Sequence, residues 1–434
     1  MEERIIFHID VNNAFLSWTA VKLLKEGSKV DIRKIPSVIG GNEQERKGIV
    51  LAKSPVAKKY KIVTAEPLYQ ARKKCPWVKV FPPSYEWYQK QSNNLFNYLS
   101  QYSPTVEKAS IDECFLDMTG TNYLYKDYVQ LAHHIKDEVK NKFGFTVNIG
   151  IANNKLCAKM ASDFEKPDKV HTLFQNEIEE KMWPLAVDDL LMVGKSTAAE
   201  LHKLNISTIK DLAQADYSML KKHFKSQADY LKNAARGIDN TPVVPRTSKN
   251  ESISTTETLL HDTTNHEKLK EILLKQTEEV ALELRGKGLY AKTVAVIFKN
   301  SNFESYSAQT SIQNPTNNTK EIYKLVVKTF ETNYKDDPIR LIGVRLANLT
   351  SNNDRQLSLF EEETKEDEIQ TTIDTINKKF GKAIISSASL KKIEKNNWRH
   401  YYFGNVFFLK FEKTAKNQQK KQKKLAFITL LCYN

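Results

Sequence analysis

The sequence predicts a multidomain α+β protein, and three observations lead to that fold class. First, 434 residues exceed the size of one ordinary core, so three or four domains of roughly 100 to 200 residues are expected. Second, short apolar runs alternate with segments of helical periodicity between residues 4 and 164, which is typical of a ferredoxin-like sheet. Third, a polar linker at 241–250 separates a helical segment from a second α+β segment.

The first α+β segment is predicted to begin with a strand, Arg4 to Val11, and a helix, Ala14 to Lys25. A strand at 48–53 then runs into Ser54-Pro55, where Ser suits the cap and Pro the first turn of a new helix. The remaining elements are expected in the order helix, strand, strand, helix, strand and helix, at 85–102, 105–109, 114–118, 123–143, 146–152 and 154–164.

Beyond this segment the composition changes twice. Residues 183–237 are predicted to form helices joined by short loops, and residues 251–349 alternate helix and strand again. From 351 to 434 the chain is polar and charged, and a flexible tail is expected. The apolar runs at 407–409 and 425–431 are too short to span a bilayer, so a disordered extension is preferred over a basic tether to DNA or to a membrane surface.

The charge balance favours a polyanionic partner, and the cysteines favour a reducing compartment. Lys and Arg number 66 against 52 Asp and Glu, a net charge of +14, although a solvated basic surface would explain this equally well. The four cysteines form no C-x-x-C pair, which argues against a zinc site and a disulfide framework. Since no signal-like segment follows Met1, we expect a soluble, cytoplasmic protein with no membrane contact.

The candidate catalytic residues are Asp10 and the pair Asp112-Glu113. Asp10 ends a buried strand, where a charge is costly unless it is paired, although it could instead cap the next helix. Asp112 and Glu113 lie in a tight Ser-Ile-Asp-Glu segment between two predicted strands. If these strands pair in one sheet, Asp10 and Asp112 come together, and a hard divalent cation such as Mg²⁺ or Mn²⁺ is needed between them. This arrangement is typical of two-metal phosphoryl transfer.

These features resemble the Y family of DNA polymerases, whose bacterial members include the DinB and UmuC groups, over residues 4 to 350. The matching motifs are the strand ending in Asp10, the Ser-Ile-Asp-Glu element, and the segments at 150–156 and 158–163, in order and spacing. The resemblance implies a low-fidelity DNA-directed DNA polymerase that copies past damaged bases. It also implies a right-hand arrangement: palm at 1–11 and 84–173, fingers at 12–83, helical thumb at 174–240, linker at 241–250 and α+β little finger at 251–350.

By the same resemblance, Asp10 and Asp112 bridge two Mg²⁺ ions, with Mn²⁺ as a substitute, and Glu113 helps to hold the catalytic ion. The main-chain carbonyl of Val11 contributes to the nucleotide-bound ion. The implied partners are primer-template DNA and deoxynucleoside triphosphates, and a monomer is expected. Phe15 falls at the steric-gate position, where a ring under the sugar excludes a 2'-hydroxyl; its helical periodicity is explained equally well by a core position.

Triphosphate contacts are predicted with less guidance from the family pattern. Lys166, in a Glu-Lys-Pro motif, matches a family lysine that meets the triphosphate. In the fingers, Ala52, Pro55 and Lys58 stand where a hydroxyl residue, a Tyr and an Arg are usual. We expect Ser54 and Lys58 to contact the triphosphate instead, because a helix starting at Ser54 offers main-chain N–H groups and a positive dipole end to phosphate. Lys58 lacks the bidentate fork of Arg, so a weaker grip is expected.

Three further segments are predicted to contact DNA or a sliding clamp. The run at 191–201 resembles a helix-hairpin-helix, with one expected glycine replaced, and a plain helical hairpin is the alternative. The basic residues of the little finger are expected to bind the DNA backbone without sequence preference. The segment at 356–360 has the form of a clamp-binding peptide, whose apolar side chains need a partner to bury them. The residues concerned are Gly194, Lys195 and Ser196 in the hairpin, Lys287, Lys292 and Arg345 in the little finger, and Gln356, Leu357, Leu359 and Phe360 in the peptide.

Two other classes of function share some of these features. A DNA-repair scaffold with a vestigial palm would bind duplex without catalysis, but the intact acids at 10, 112 and 113 argue against it. A nucleotidyl cyclase shares palm chemistry, but it has no need of the hairpin, the little finger or the clamp peptide.

Overall fold

The computed structural model describes residues 4–245, 252–351, 372–376 and 379, and the strands at 385–387, 398–403 and 407–412. The chain forms two compact units, Met1–Ser248 and Lys249–Asn434. The division falls inside the segment that the sequence predicts to be a linker. Among the described residues, no helix combines the length and the apolar content needed to cross a membrane.

The first unit contains the following strands and helices in chain order: β1 (Ile6–Val11), α1 (Ala14–Lys25), β2 (Ser37–Gly40), β3 (Val50–Lys53), α2 (Pro55–Lys59), α3 (Leu68–Lys74), β4 (Lys79–Phe81), α4 (Tyr85–Leu99), β5 (Thr105–Lys108), β6 (Glu113–Asp117), α5 (Tyr128–Phe143), β7 (Val147–Ala152), α6 (Lys155–Asp163), β8 (Val170–Thr172), α7 (Lys195–Lys203), α8 (Ile209–Gln214), α9 (Tyr217–Phe224) and α10 (Gln227–Ala235).

A five-stranded sheet in the order β5-β6-β1-β7-β8 forms the centre of this unit. β1 pairs antiparallel with both β6 and β7, and every residue of β1 is buried. Because side chains alternate along a strand, Phe7 and Ile9 pack on one face with α4 and α5, whereas Ile6 packs on the other with α6. The predicted ferredoxin-like alternation of strands and helices is therefore present.

Helix α6 packs unusually close to the sheet at Gly150. A Cβ atom at Gly150 would lie 2.0 Å from the main-chain oxygen of Ala158 and 2.5 Å from the main-chain nitrogen of Ser162. Real Cβ atoms are not found at such distances, so only glycine permits this approach. Gly150 pairs with His8 of β1, which places α6 directly over the strand that carries Asp10.

Two smaller parts complete the first unit. Strands β3, β2 and β4 form a small sheet that packs with α2 and α3. The helices α7 to α10 cover residues 195–235, as the sequence predicts for 183–237. One predicted boundary is wrong: α5 begins at Tyr128 and not at Tyr123, because the side chain of Asp127 accepts hydrogen bonds from the main-chain nitrogens of Val129 and Gln130 and caps the helix there.

The second unit contains a four-stranded antiparallel sheet in the order β11-β10-β12-β9, with two helices on one face. Its core consists of apolar residues from that face and from the helices, such as Val294, Phe298, Leu273 and Phe330. The elements are β9 (Ser252–Thr263), α11 (His266–Gly286), β10 (Leu289–Asn300), β11 (Ser305–Thr316), α12 (Thr319–Asn333) and β12 (Ile339–Ser351).

After residue 351, where the sequence predicts a flexible tail, the described residues form one short helix segment and three strands. Residues 372–376 are helical, and β13 (Ile385–Ser387), β14 (Trp398–Phe403) and β15 (Phe407–Glu412) pair antiparallel in the order β13-β15-β14. The two longer strands are rich in aromatic residues, which favour strands, and this signal outweighs the surrounding polar composition. The predicted clamp-binding peptide at 356–360 lies outside the described residues.

Candidate active site

The fold brings the three predicted acids to one end of the central sheet. Asp10 and Glu113 are direct partners across β1 and β6. Asp112 immediately precedes β6, and its main-chain oxygen accepts a hydrogen bond of 3.1 Å from the nitrogen of Val11. The alternative of Asp10 as a helix cap is excluded, since the residue at the cap position of α1 is Asn13.

Asp10 is a buried carboxylate whose counter-charge is a lysine. Its exposure is 7%, and this burial raises the pKa of Asp10 even though Lys166 acts in the opposite direction. The Lys166 ammonium contacts Asp10 Oδ2 and lies 2.8 Å from Asp163 Oδ1. Together these two carboxylates raise the pKa of Lys166, although burial alone would lower it.

Glu113 is held by two donors on the same oxygen. His8 Nε2 lies 3.2 Å and Lys159 Nζ 2.9 Å from Glu113 Oε2. The hydrogen bond from His8, together with Lys159, lowers the pKa of Glu113 to about 2, so this side chain is a carboxylate at neutral pH. Asp112 is more open, and its Oδ1 accepts a hydrogen bond of 2.6 Å from Ser110 Oγ.

The chemistry of these donors fits a divalent cation. Among the described residues, no three His, Cys, Asp or Glu side chains are arranged to hold a metal ion, and Lys166 and Lys159 each contact one of the acids. Hard carboxylate oxygens at a partly buried site are the ligands that Mg²⁺ and Mn²⁺ prefer. The two ammonium groups supply positive charge at the positions where a cation would supply it. The donor set of Asp10, Asp112 and Glu113 therefore fits a divalent cation.

The buried side-chain amides of Asn12 and Asn148 hold the loop that carries Lys166. Asn148 Nδ2 donates a 2.6 Å hydrogen bond to the main-chain oxygen of Glu165, and Asn148 Oδ1 accepts one of 3.0 Å from Asn12 Nδ2. Asn12 Oδ1 in turn accepts a hydrogen bond of 2.9 Å from the nitrogen of Asp168. Both amides were missed in the sequence, where the detectable signal is a polar residue inside or next to an apolar strand.

Phe15 is half-buried on α1 within a group of aromatic rings. It stacks on Tyr88 with a centroid distance of 4.6 Å and an interplanar angle of 9°, and it meets Tyr85 edge to face at 6.2 Å. These contacts fix the ring in place. They are compatible with both predicted roles, a steric gate and a core residue.

The predicted start of a helix at Ser54 is confirmed, and it determines what Ser54 can do. Ser54 is fully buried; its Oγ accepts a hydrogen bond of 2.9 Å from the nitrogen of Ala57 and donates one of 2.7 Å to the oxygen of Ile35. The hydroxyl is therefore used for capping. The N–H groups of Ser54, Ala57 and Lys58 are already donated and Pro55 has none, so among the described residues of this turn only the N–H of Val56 is left for a phosphate. Lys58 lies on the same short helix and is exposed.

The predicted hairpin of the thumb presents its residues to solvent. Gly194, Lys195 and Ser196 are all exposed at the beginning of α7. Met192 has a φ angle of 67° and is 78% exposed. The residue that replaces the expected glycine thus adopts the left-handed conformation that glycine favours.

The open face of the second unit's sheet carries small and polar side chains around one arginine. Ser254 on β9 and Ala295 on β10 pair directly with Arg345, and Gln309 on β11 pairs with Ala295. Arg345 Nε is buried and has no hydrogen-bond partner in the described part of the chain. The half-buried Arg345 therefore places a positive charge among small and polar side chains on this face.

The other predicted basic residues of this unit lie near the end of α11 and in β10. Lys287 is exposed and pairs with Glu283 at 2.5 Å, whereas Lys292 is half-buried.

Comparison with solved structures shows the fold. A Y-family DNA polymerase chimera aligns with a TM-score of 0.69 and 24% sequence identity, covering 80% of this chain and 100% of the chimera. The chain therefore has the fold of this polymerase, and its three acids lie at one end of the central sheet.

Comparison with sequence families gives the identification. The impB/mucB/samB family model matches residues 9–163, and the model of that family's C-terminal domain matches residues 250–359. DNA polymerase IV of Clostridium acetobutylicum is 46% identical over 395 residues, covering 90% of this chain and 100% of the relative. DNA polymerase IV 1 of Bacillus subtilis is 33% identical over 412 residues, covering 94% and 98%. The chain therefore belongs to the impB/mucB/samB family, within the Y family of DNA polymerases. It is a DNA-directed DNA polymerase of the translesion class, and it requires divalent metal ions.

Proposed function

We propose that this translesion polymerase extends a primer by two-metal phosphoryl transfer at Asp10, Asp112 and Glu113. The observation that carries the proposal is the meeting of these acids at adjoining ends of β1 and β6, where two of them are already matched by cationic side chains. The three carboxylates and the Val11 carbonyl are the proposed ligands of two Mg²⁺ ions, with Mn²⁺ as a substitute. Such ions activate the primer 3'-hydroxyl and neutralise the triphosphate.

The protein binds primer-template DNA and deoxynucleoside triphosphates, and we assign the nucleotide contacts to residues around the acids. Lys166 is proposed to meet the triphosphate, since the buried amides at 12 and 148 hold its loop beside Asp10. The main-chain N–H of Val56 and the exposed Lys58 ammonium, at the helix that Ser54 caps, are proposed as further phosphate contacts. Phe15 is proposed to lie under the sugar, because its stacking on Tyr88 makes it a rigid wall.

The proposed DNA contacts are of the backbone-binding kind. In the thumb, the exposed Gly194, Lys195 and Ser196 are suited to a phosphate at the hairpin. In the little finger, the half-buried Arg345 offers positive charge on a face of small and polar side chains, over which a duplex backbone can approach. Lys287 and Lys292 add positive charge.

Three finer assignments rest on the sequence. The peptide at Gln356, Leu357, Leu359 and Phe360 is proposed to bind a sliding clamp. The enzyme is proposed to be monomeric. We also propose a cytoplasmic location, which is supported by the cysteines of the described residues, Cys75, Cys114 and Cys157, because all three are free and buried.

The two-metal assignment is tested by removing each acid in turn. Asp10→Ala, Asp112→Ala and Glu113→Ala are each expected to abolish nucleotide addition in a primer-extension assay with Mg²⁺, since only metal ligands are lost. Binding of primer-template DNA, measured by fluorescence anisotropy, is expected to stay near the wild-type value.

The matched control is Asp117→Asn at the far end of β6, whose Oδ1 accepts a hydrogen bond from the nitrogen of Thr119. This variant is expected to keep nucleotide addition. Wild-type turnover in any of the three alanine variants would contradict the assignment.

A further inference from the structure

His8 lies beside the proposed metal ligands and on their side of the sheet. It precedes Asp10 by two residues in β1, so both side chains point to the face covered by α6. The side chain is completely buried, and its ring packs against Phe115 with a centroid distance of 4.7 Å. A polar group in such a place is costly unless each of its hydrogen-bonding atoms has a partner.

Both ring nitrogens of His8 have partners. Nε2 lies 3.2 Å from Glu113 Oε2, and Nδ1 lies 2.7 Å from Ser162 Oγ. Glu113 is a carboxylate and can only accept, so Nε2 carries the hydrogen. Ser162 Oγ also lies 2.8 Å from the main-chain oxygen of Lys159, and its single proton can go to either acceptor. In both cases Nε2 donates to Glu113, so this contact does not depend on the charge of the ring.

The contact controls the orientation of the Glu113 carboxylate. His8 and Lys159 both approach Oε2, and no described residue donates to Oε1. Rotation of the carboxyl group is restricted, and Oε1 is left available to a metal ion. If Lys159 moves aside when a cation binds, His8 alone keeps this orientation, because its ring is fixed by Phe115 and Ser162.

We propose that His8 is a positioning residue, which orients Glu113 for the catalytic metal ion through its Nε2–H, with Ser162 fixing the ring. The inference rests on the proposed function, because it concerns the ligand role of Glu113. Outer partners of this type commonly change metal affinity by about 10- to 100-fold when they are removed. The sequence gives no hint of it beyond a histidine inside an apolar strand.

The test measures cation binding directly, on the full chain bound to primer-template DNA with a dideoxy-terminated primer and the next nucleotide. Bound and free Mn²⁺ are separated by electron paramagnetic resonance. Glu113→Ala identifies which bound Mn²⁺ depends on Glu113. His8→Phe is expected to lower the affinity for that same Mn²⁺ by about 10- to 100-fold. His8→Gln keeps an N–H near the position of Nε2, and its Mn²⁺ affinity is expected to be clearly closer to that of the wild type.

A matched control separates metal affinity from stability. Ile6→Val loosens the same face of the same strand but touches no polar group, and it is expected to keep the wild-type Mn²⁺ affinity. Wild-type affinity in folded His8→Phe, or equal losses in His8→Phe and His8→Gln, would overturn the proposal. If His8→Phe does not fold, Ser162→Ala decides: weaker Mn²⁺ binding supports the proposal, and unchanged binding refutes it. If Glu113→Ala removes no Mn²⁺, the two-metal assignment fails instead.

Discussion

The close packing of α6 on the sheet predicts a large effect from one methyl group at Gly150. In Gly150→Ala, the new Cβ would lie 2.0 Å from the oxygen of Ala158 and 2.5 Å from the nitrogen of Ser162. Both obstacles are main-chain atoms of a helix, so no side-chain rotation relieves them. To reach an ordinary contact of 3.4 Å from 2.0 Å, α6 must move away by about 1.4 Å.

The cost is estimated from overpacking in other protein cores, where an inserted methyl group costs about 1–3 kcal/mol. Because main chain is displaced here, we expect a loss of about 3 kcal/mol in the free energy of unfolding. With an m-value of about 3 kcal/mol per molar urea, the midpoint falls by about 1 M. Helix α6 also carries Lys159, which pairs with Glu113, so nucleotide addition is expected to fall in the fraction that stays folded.

The assay is urea unfolding followed by circular dichroism, with primer extension on the same samples. Gly286→Ala is the control: it lies at the end of α11, a Cβ there meets nothing within 4 Å, and its stability is expected to stay the same or rise by up to about 1 kcal/mol. An unfolding midpoint of Gly150→Ala equal to that of the wild type would refute the reasoning.

Three further predictions concern the substrate, the DNA and the clamp. Phe15→Ala is expected to raise ribonucleotide relative to deoxynucleotide incorporation in single-nucleotide kinetics. An unchanged ratio would show that Phe15 is a core residue and not a steric gate. DNA affinity is expected to fall linearly on a log–log plot against salt, with a slope of about −0.9 for each phosphate contacted, and to vary little with sequence; a shallow slope would count against the proposed contacts. Leu359→Ala with Phe360→Ala is expected to weaken clamp binding by about 2–4 kcal/mol per residue without changing basal extension of a short primer. If a loaded clamp stimulates the wild type and the double variant equally, the clamp-binding segment lies elsewhere in the chain.

The parts of the fold that local sequence determines were predicted well. The helix from Ala14 to Lys25 and the cap at Ser54 follow from helical periodicity and from the Ser-Pro pair, and the structure has both. The start of α5 differs from the prediction because Asp127, four residues after the predicted start at Tyr123, caps the helix. In each case the signal lies within a few residues of the element.

The details of the site depend on pairing between distant residues, which periodicity does not contain. The sequence predicts that Asp10 and Asp112 come together if their strands pair, and the register adds that Glu113 is the direct cross-strand partner of Asp10. A shift of one residue changes which side chains share a face, and local sequence does not fix it. His8 and Asn148 were overlooked for a similar reason, since their partners lie 105 residues (His8 to Glu113) and 17 residues (Asn148 to Glu165) away.

The lysines at the acids connect the stability of the site with its proposed chemistry. A buried Asp10 without a counter-charge would be costly, and Lys166 supplies that charge in the structure. On the proposed assignment, a divalent cation would compete with this ammonium for the negative charge of Asp10 and would weaken the ion pair. The loop at 165–168 remains anchored by Asn148, and Lys166 therefore stays near the site after it leaves Asp10. On the proposed assignment its positive charge would then be free for the triphosphate, so that one side chain would neutralise the site before loading and the substrate after it.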